Sequence, residues 1–266
     1  MELDGLKTPS HHRAANALRV GGPKMPVLNS YDAEAARTYD DWFHGGAPAH
    51  SVVDQVVRLT GKGPVLELGI GTGSLALPLL EQGVEVHGID LSEQMVARLR
   101  AKPGGERIPV TLGDFGELPV PGTFSGVFSA RGSFFHLLSQ DAQLSCFREV
   151  AQRLRPGGVF LLDGLLPDER CLLADQGQVV HESDGERVLR FRSYDRAQQR
   201  LVSHYVGTSE RGVRLLTYTF RYAWPAELDL MARAAGLRLR ERSGNWEGAP
   251  FQAKSTYHVS IYERPA

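Results

Sequence analysis

The sequence is poor in cysteine, has no long apolar run and carries almost no net charge, and each absence removes a class of protein. Its 266 residues hold two cysteines, Cys146 and Cys171, in neither a CxxC pair nor a metal-ligand spacing. A disulfide framework and a thiolate metal site are therefore not expected, and both thiols read as reduced and buried in a cytosolic protein. No stretch approaches the roughly 20 apolar residues that span a bilayer. The start of the chain, with His11, His12 and Arg13, lacks an apolar h-region, so no signal peptide is expected and the reading is cytoplasmic, with no membrane. His11 and His12 read as solvated in a loose arm, and no metal is expected. The formal net charge is -1, from 30 basic against 31 acidic residues, so the overall balance favours no nucleic acid. Internal repeats and low-complexity tracts are also missing. The length suits one large domain, or a core domain with an insertion.

What is present centres on Val65-Leu66-Glu67-Leu68-Gly69-Ile70-Gly71-Thr72-Gly73-Ser74. It reads as a short buried strand ending in an acid, followed by a glycine turn. Ser74 to Gln82 then reads as a helix, with Pro78 in its first turn or at a kink. Three glycines at alternate positions allow a sharp turn and clear side chains from a ligand. The N-terminus of the helix is expected to face that ligand. A dinucleotide fingerprint would need glycine or alanine where Ser74 stands. Glu67 would repel a pyrophosphate but suits a cationic amino-acid group. The stretch resembles hhELGxGTG, the first motif of class I S-adenosylmethionine methyltransferases. That resemblance implies an α/β, doubly wound, Rossmann-like seven-stranded sheet. It also implies S-adenosylmethionine as cofactor and S-adenosylhomocysteine as product, with Glu67, Gly69, Gly71 and Gly73 holding the methionine part.

Val84 to Asp90 reads as a second strand ending on an acid, 17 residues beyond Gly73. An acid there can accept both ribose hydroxyls. Ser92 reads as the N-cap of the next helix. The block GIDLSEQM resembles the second motif of the same family and implies Leu91 and Met95 beside the cofactor. Ile108 to Phe115 reads as the third strand and turn. There the resemblance implies Asp114 at the adenine amino group and Phe115 beside the ring. Glu67, Asp90 and Asp114 fall 23 and then 24 residues apart. That is one acid per βα repeat at the strand ends where such sheets bind ligands.

Phe124 to Ala130 reads as the fourth strand, with Ser125 where the family often has Asp. The resemblance implies Ala130 beside the cofactor, and Arg131, Phe135 and His136 near the transferred methyl. His136 reads either as a base or orienter, or as a histidine satisfied by backbone groups. Gln140 to Leu154 reads as a helix ended by Arg155-Pro156-Gly157-Gly158, before a fifth strand at Val159 to Gly164. Asp163 could accept an amine proton, hold the amine, or cap the next helix.

Residues 1–29 read as a flexible arm and 30–266 as one domain. Tyr31 to Phe43 reads as an amphipathic helix resembling the YDxxAxxYDxW segment of small-molecule methyltransferases. This implies Tyr39 closing over the cofactor and Tyr31 near the acceptor; the alternative is packing alone. Ser51 to Leu59 reads as the helix leading into the first strand. Val179 to Trp224 alternates as antiparallel strands at Val188–Tyr194, Leu201–Val206 and Leu215–Tyr222, a cap over the acceptor site. Tyr222 and Trp224 are candidate acceptor contacts. Pro225 to Ala235 reads as the final helix, and Leu237–Arg242 and Ser255–Glu263 as closing strands. WPAELDLMARAAGLRL, GAPFQAKSTYHVSIYE, ARGSFF and DRAQQ resemble actinobacterial enzymes that methylate the N-terminal amine of linaridin peptides.

The function expected is methyl transfer to a small-molecule or short-peptide acceptor, foremost an amine, by a monomer or homodimer. An O- or C-methyltransferase, an RNA or protein modifier, and a non-catalytic cofactor-binding protein are the alternatives. The absence of an [N/D]PP[Y/F] motif weighs against nucleic acid.

Overall fold

The computed structural model describes residues 30–43, 48–167, 177–183, 185–210 and 212–266. The arm at residues 1–29 and Cys171 lie outside the described residues. Apolar alternation builds the main sheet. In β1 (Val65–Leu68), β4 (Phe124–Ser129), β5 (Leu154–Leu165) and β11 (Tyr257–Glu263), neighbouring residues go to opposite faces. Val65, Phe128, Leu161 and Ile261 pack on one side with the helices α2 (Ala49–Thr60) and α3 (Ala76–Glu81). Leu66, Val127, Phe160 and Tyr262 pack on the other with α5 (Gln140–Arg153) and α6 (Pro225–Ala234). A sheet covered on both faces explains strands that are apolar throughout rather than half polar.

With β2 (Val86–Asp90), β3 (Val110–Leu112) and β10 (Arg238–Ser243), the strand order is β3-β2-β1-β4-β5-β11-β10. The strands β1 to β5 pair in parallel, and β11 enters antiparallel between β5 and β10. The order reverses between β1 and β4, the crevice where open α/β sheets bind ligands. A second sheet has the order β6-β7-β8-β9. Its strands β7 (Glu186–Asp195) and β8 (Arg200–Ser209) cover two of the expected strands, and β9 (Gly212–Arg221) covers the third except Tyr222, which lies just past its end. The strand β6 (Gln178–Ser183) was not legible as one, because both its ends are exposed and polar.

Two local readings change. The helix α3 is only Ala76–Glu81, shorter than the expected Ser74 to Gln82. Pro78 has no amide to donate, and Gly83 turns left-handed just beyond. The Arg155-Pro156-Gly157-Gly158 stretch is not a separate terminator: α5 runs directly into β5 at Leu154. The glycine backbone there pairs with Arg264, which gives the strand its irregular start.

The cap is fastened to the main sheet through Arg221 on β9. Its guanidinium donates to Gln143 on α5 at 2.6 Å and to Glu227 on α6 at 2.6 Å. The helix α1 (Ala33–Trp42) lies between cap and sheet, and the Trp42 ring sits where a side chain at Gly207 of β8 would be.

One glycine sets the height of the glycine turn. A Cβ at Gly88 in β2 would collide with the Ile70 side chain, which packs flat on that strand. We expect Gly88→Ala to destabilise the fold by about 1–3 kcal/mol through overpacking, read as a lower urea midpoint with an unchanged slope.

Candidate active site

The glycine turn forms because its three glycines take left-handed conformations, with φ of 74° at Gly69, 54° at Gly71 and 80° at Gly73. The backbone N–H of Gly71 donates to Asp90 Oδ2 at 2.7 Å, and that of Ser92 donates to Asp90 Oδ1 at 2.8 Å. Asp90 thus locks the ends of β1 and β2 together. Burial raises its carboxyl pKa, and the N–H groups of Ser92, Gly71 and Leu91 oppose that shift. Glu67 is 5% exposed, and its Oε2 has no hydrogen-bond partner. Burial pushes its pKa well up, Arg131 pulls it down, and Asp90 adds to the rise. A buried carboxylate oxygen without a donor is costly, and an incoming ammonium group would relieve it. Beside these acids, Leu91 is 67% exposed, a bare apolar surface next to the ribose-type acid, while Met95 is buried against Gly71. Asp114 caps the Gly116 N–H at 2.7 Å, and Phe115 is buried in the core. These carboxylates are acceptors, the chemistry that an ammonium, ribose hydroxyls and an adenine amino group of S-adenosylmethionine would meet.

A clasp holds α1 over that crevice. Thr72 Oγ1 donates to Asp40 Oδ1 at 2.5 Å, and Lys102 Nζ pairs with Asp40 Oδ2 at 2.7 Å. Ser92 Oγ donates to the Tyr31 carbonyl at 2.7 Å. Tyr39, on the same helix, is pushed up to about 12 by burial, against the pull of Arg131.

Between α1, the cap and the loop after β4 lies a cavity of about 670 Å³. Tyr31, Tyr39, Arg131, Phe135, His136 and Tyr222 all line it. Trp224 does not: it is 47% exposed and contacts Tyr222 edge-on. His136 Nδ1 lies 3.1 Å from the Thr219 carbonyl, which fixes Nδ1 as the donor. Its Nε2 then accepts from the Tyr31 hydroxyl at 2.6 Å. Burial lowers the His136 pKa to about 4 and raises that of Tyr31 well above its ordinary value.

Asp163 is fully buried behind the cavity wall, bonded to residues that line it. Its carboxylate accepts from the N–H groups of Arg131 and Gly132 at 2.8 and 2.7 Å, from Trp246 Nε1 at 2.8 Å, and from the Tyr257 hydroxyl. Burial raises its pKa, and these four donors oppose it. The bonds hold Arg131 and Gly132 in left-handed conformations, with φ of 58° and 77°. Three of these donors converge on Oδ2 and one on Oδ1. Ala130 is buried, and its carbonyl accepts from Ser133 Oγ at 3.0 Å. Tyr218, Trp246 and Tyr257 also line the cavity; β-strand alternation marked Tyr218 without ranking it, and the other two carried no signal.

These features define a class of enzyme that binds an adenosyl amino acid and brings an acceptor to it. A family model described as "Methyltransferase domain" matches residues 65–158. The cypemycin N-terminal methyltransferase of a Streptomyces species is 30% identical over 239 residues, covering 88% of this chain and 97% of the relative. The CcbJ methyltransferase of Streptomyces caelestis has a TM-score of 0.80 at 39% identity, covering 90% of this chain and 99% of that one. A fold likeness alone, at 14% identity and TM-score 0.75, links the chain to an S-adenosylmethionine-dependent methyltransferase of Clostridium acetobutylicum, covering 88% of this chain and 98% of that one. The chain belongs to the class I S-adenosylmethionine-dependent methyltransferases.

The buried histidines make a pH prediction. His136 and His258 have folded-state pKa values lowered from 6.5 to about 4 and about 3, in both cases first by burial. Below pH 6.5 the unfolded chain takes up these protons and the fold does not, so stability falls as pH drops from about 6.5 to about 4. We expect a loss of about 1.4 kcal/mol per pH unit for each histidine. Urea titrations at several pH values should show the slope reduced by one proton in His136→Gln.

Proposed function

We propose that this enzyme methylates an amine on a small-molecule or short-peptide acceptor, with residues 30–266 as one unit and 179–224 as its cap. The observation that carries the reading is the Tyr31–His136 pair at 2.6 Å on the wall of the cavity. The names of its relatives support an amine acceptor. When bound, S-adenosylmethionine supplies a methyl carbon on a cationic sulfur, a leaving group that needs no acid.

Glu67 and the glycine turn would hold its amino-acid end, Asp90 its ribose, and Asp114 with Phe115 its adenine. The Tyr31 hydroxyl spends its proton on His136, so its remaining lone pairs face the cavity as acceptors. A neutral amine can donate an N–H to them and so aim its own lone pair. His136 orients Tyr31. Asp163 is a positioning residue that holds the Arg131–Gly132 turn. Tyr39 covers the cofactor and excludes water. Most of the rate then comes from alignment in a dry cavity. The new N–C bond forms from the nitrogen lone pair, and the amine proton leaves to solvent with the product.

Two measurements test this. Asp90→Ala should weaken cofactor binding by about 1.5–3 kcal/mol, the value of a charged hydrogen bond, read by calorimetry against an unchanged fold. Unaltered affinity would sink the cofactor assignment. Methyl gain is read by mass on amines and peptides. Tyr31→Phe should lower kcat by more than His136→Gln. If His136 were the base itself, its loss would cost about 10²–10⁴-fold and remove an ionisation from the pH profile. As an orienter, it leaves the profile tracking the acceptor amine.

A further inference from the structure

The cavity is not electrically neutral. Three of its lining side chains are arginines, Arg131, Arg190 and Arg192, and Glu247 is the carboxylate among its described lining residues. Glu247 is exposed and accepts from Ser51 Oγ at 2.7 Å. Arg131 is committed to the cofactor end, donating to Ser74 Oγ at 2.8 Å and acting on Glu67. That leaves Arg190 and Arg192.

These two stand at alternate positions of β7 and therefore on one face of the cap sheet. Arg190 pairs across to Tyr205 and Arg192 to Ser203, and Ser203 pairs on to Tyr218. Arg192 is thus in line with the aromatic ring that packs on Tyr31, two strands away, or about 10 Å between backbones. Among the described residues neither guanidinium forms an ion pair with a carboxylate. Arg190 is steered by neutral groups, the Gln178 amide oxygen and the Tyr205 hydroxyl. Arg192 Nε is buried with no hydrogen-bond partner. Two like charges held side by side in a half-buried wall repel each other, and the desolvated donor adds to the cost. A structural role would call for an acid between them, but the acid on that face of β7 is Glu186, four residues before Arg190, and it accepts from Trp42 Nε1 at 3.1 Å.

Resting on the amine reading above, the geometry points to a specificity subsite: Arg190 and Arg192 bind an anionic group of the acceptor, a carboxylate or phosphate, while its amine lies at Tyr31. The acceptor is then an amine that carries its own anion at a distance set by the cap, and the guanidinium pair selects it from neutral amines. Guanidinium donors match either anion bidentately.

The test has two arms. In the first, acetate and inorganic phosphate are titrated separately into protein loaded with S-adenosylhomocysteine, at ionic strength held constant with chloride. We expect binding that weakens about tenfold or more in Arg192→Met and in Arg190→Met, with Arg192→Lys intermediate and S-adenosylhomocysteine affinity unchanged. The better-bound anion identifies the group. No anion binding by the wild type, or equal binding by wild type and Arg192→Met, overturns the subsite. In the second arm, amines are offered in matched pairs, such as short peptides with free and amidated C-termini, and aminoalkyl phosphates against the parent aminoalcohols. We expect the charged member to be favoured in kcat/KM, with the advantage lost in Arg192→Met; an advantage that survives there also overturns it. Anion binding with no methyl gain on any amine would instead strike the amine reading and leave the subsite supported.

Discussion

A carboxylate buried inside a sheet costs several kcal/mol unless its oxygens are hydrogen-bonded. Asp163 meets that condition with donors from three separate stretches: the turn after β4, Trp246, and Tyr257 at the start of β11. The same bonds that keep the charge tolerable also decide where the turn goes. Arg131 and Gly132 stay left-handed because both N–H groups converge on one carboxylate. Everything that follows, Ser133 beside Gly69 and His136 beneath the cap, inherits its position from that turn. Removing the carboxylate would orphan four donors at once, so its influence on the site is larger than any one contact.

The second constraint is α1, which couples two sites that the main sheet alone would leave separate. Asp40 fastens its C-terminal half to the glycine turn and Lys102. Its N-terminal end is held by Ser92, next to Asp90, and by Tyr31 against His136. Trp42 joins it to the cap through Gly207 and Glu186. Tyr39 and Tyr31 therefore line the cavity from one clasped segment. The polar clasps add to an apolar seam, in which Ala35 and Trp42 pack with Val188, Leu216 and Tyr218 of the second sheet.

The strand-end acids and the glycine turn were legible in the sequence, since they sit on short local motifs. Glu67, the three glycines and Asp90 lie at the ends of adjacent strands, so spacing along the chain translates directly into position. The acceptor half was not legible to the same depth. Tyr31 and His136 meet across 105 residues, and no local pattern encodes that. Asp163 was visible as a strand-end acid, but its four donors come from distant segments, so its burial beneath them could not be read. Alternation in β7 and β8 announced half-buried strands, yet it could not say which face of the cap turns inward. That depends on how Arg221 docks β9 onto α5 and α6. Trp224 shows the limit from the other side: an aromatic residue two positions from a lining tyrosine points out at the start of α6.

The orienter role proposed for His136 rests on its burial. An alkylamine that has just been methylated is an ammonium with a pKa of about 10. His136 in its buried setting has a pKa of about 4. Passing the proton from one to the other is uphill by about 8 kcal/mol, more than alignment alone would recover. The imidazole is thus a poor resting place for the proton but a good fixed acceptor, because its Nδ1 is anchored on Thr219 and its Nε2 stays unprotonated across the physiological range. On the proposed reading the amine must shed its proton before its lone pair can attack, and the guanidinium charges of the cavity wall oppose its ammonium form. An anion on the same acceptor, met by arginines at the far wall, would supply binding energy at a distance from the nitrogen. That energy can draw the molecule in without requiring the nitrogen to be charged, and so leaves the lone pair free at the point where it is needed.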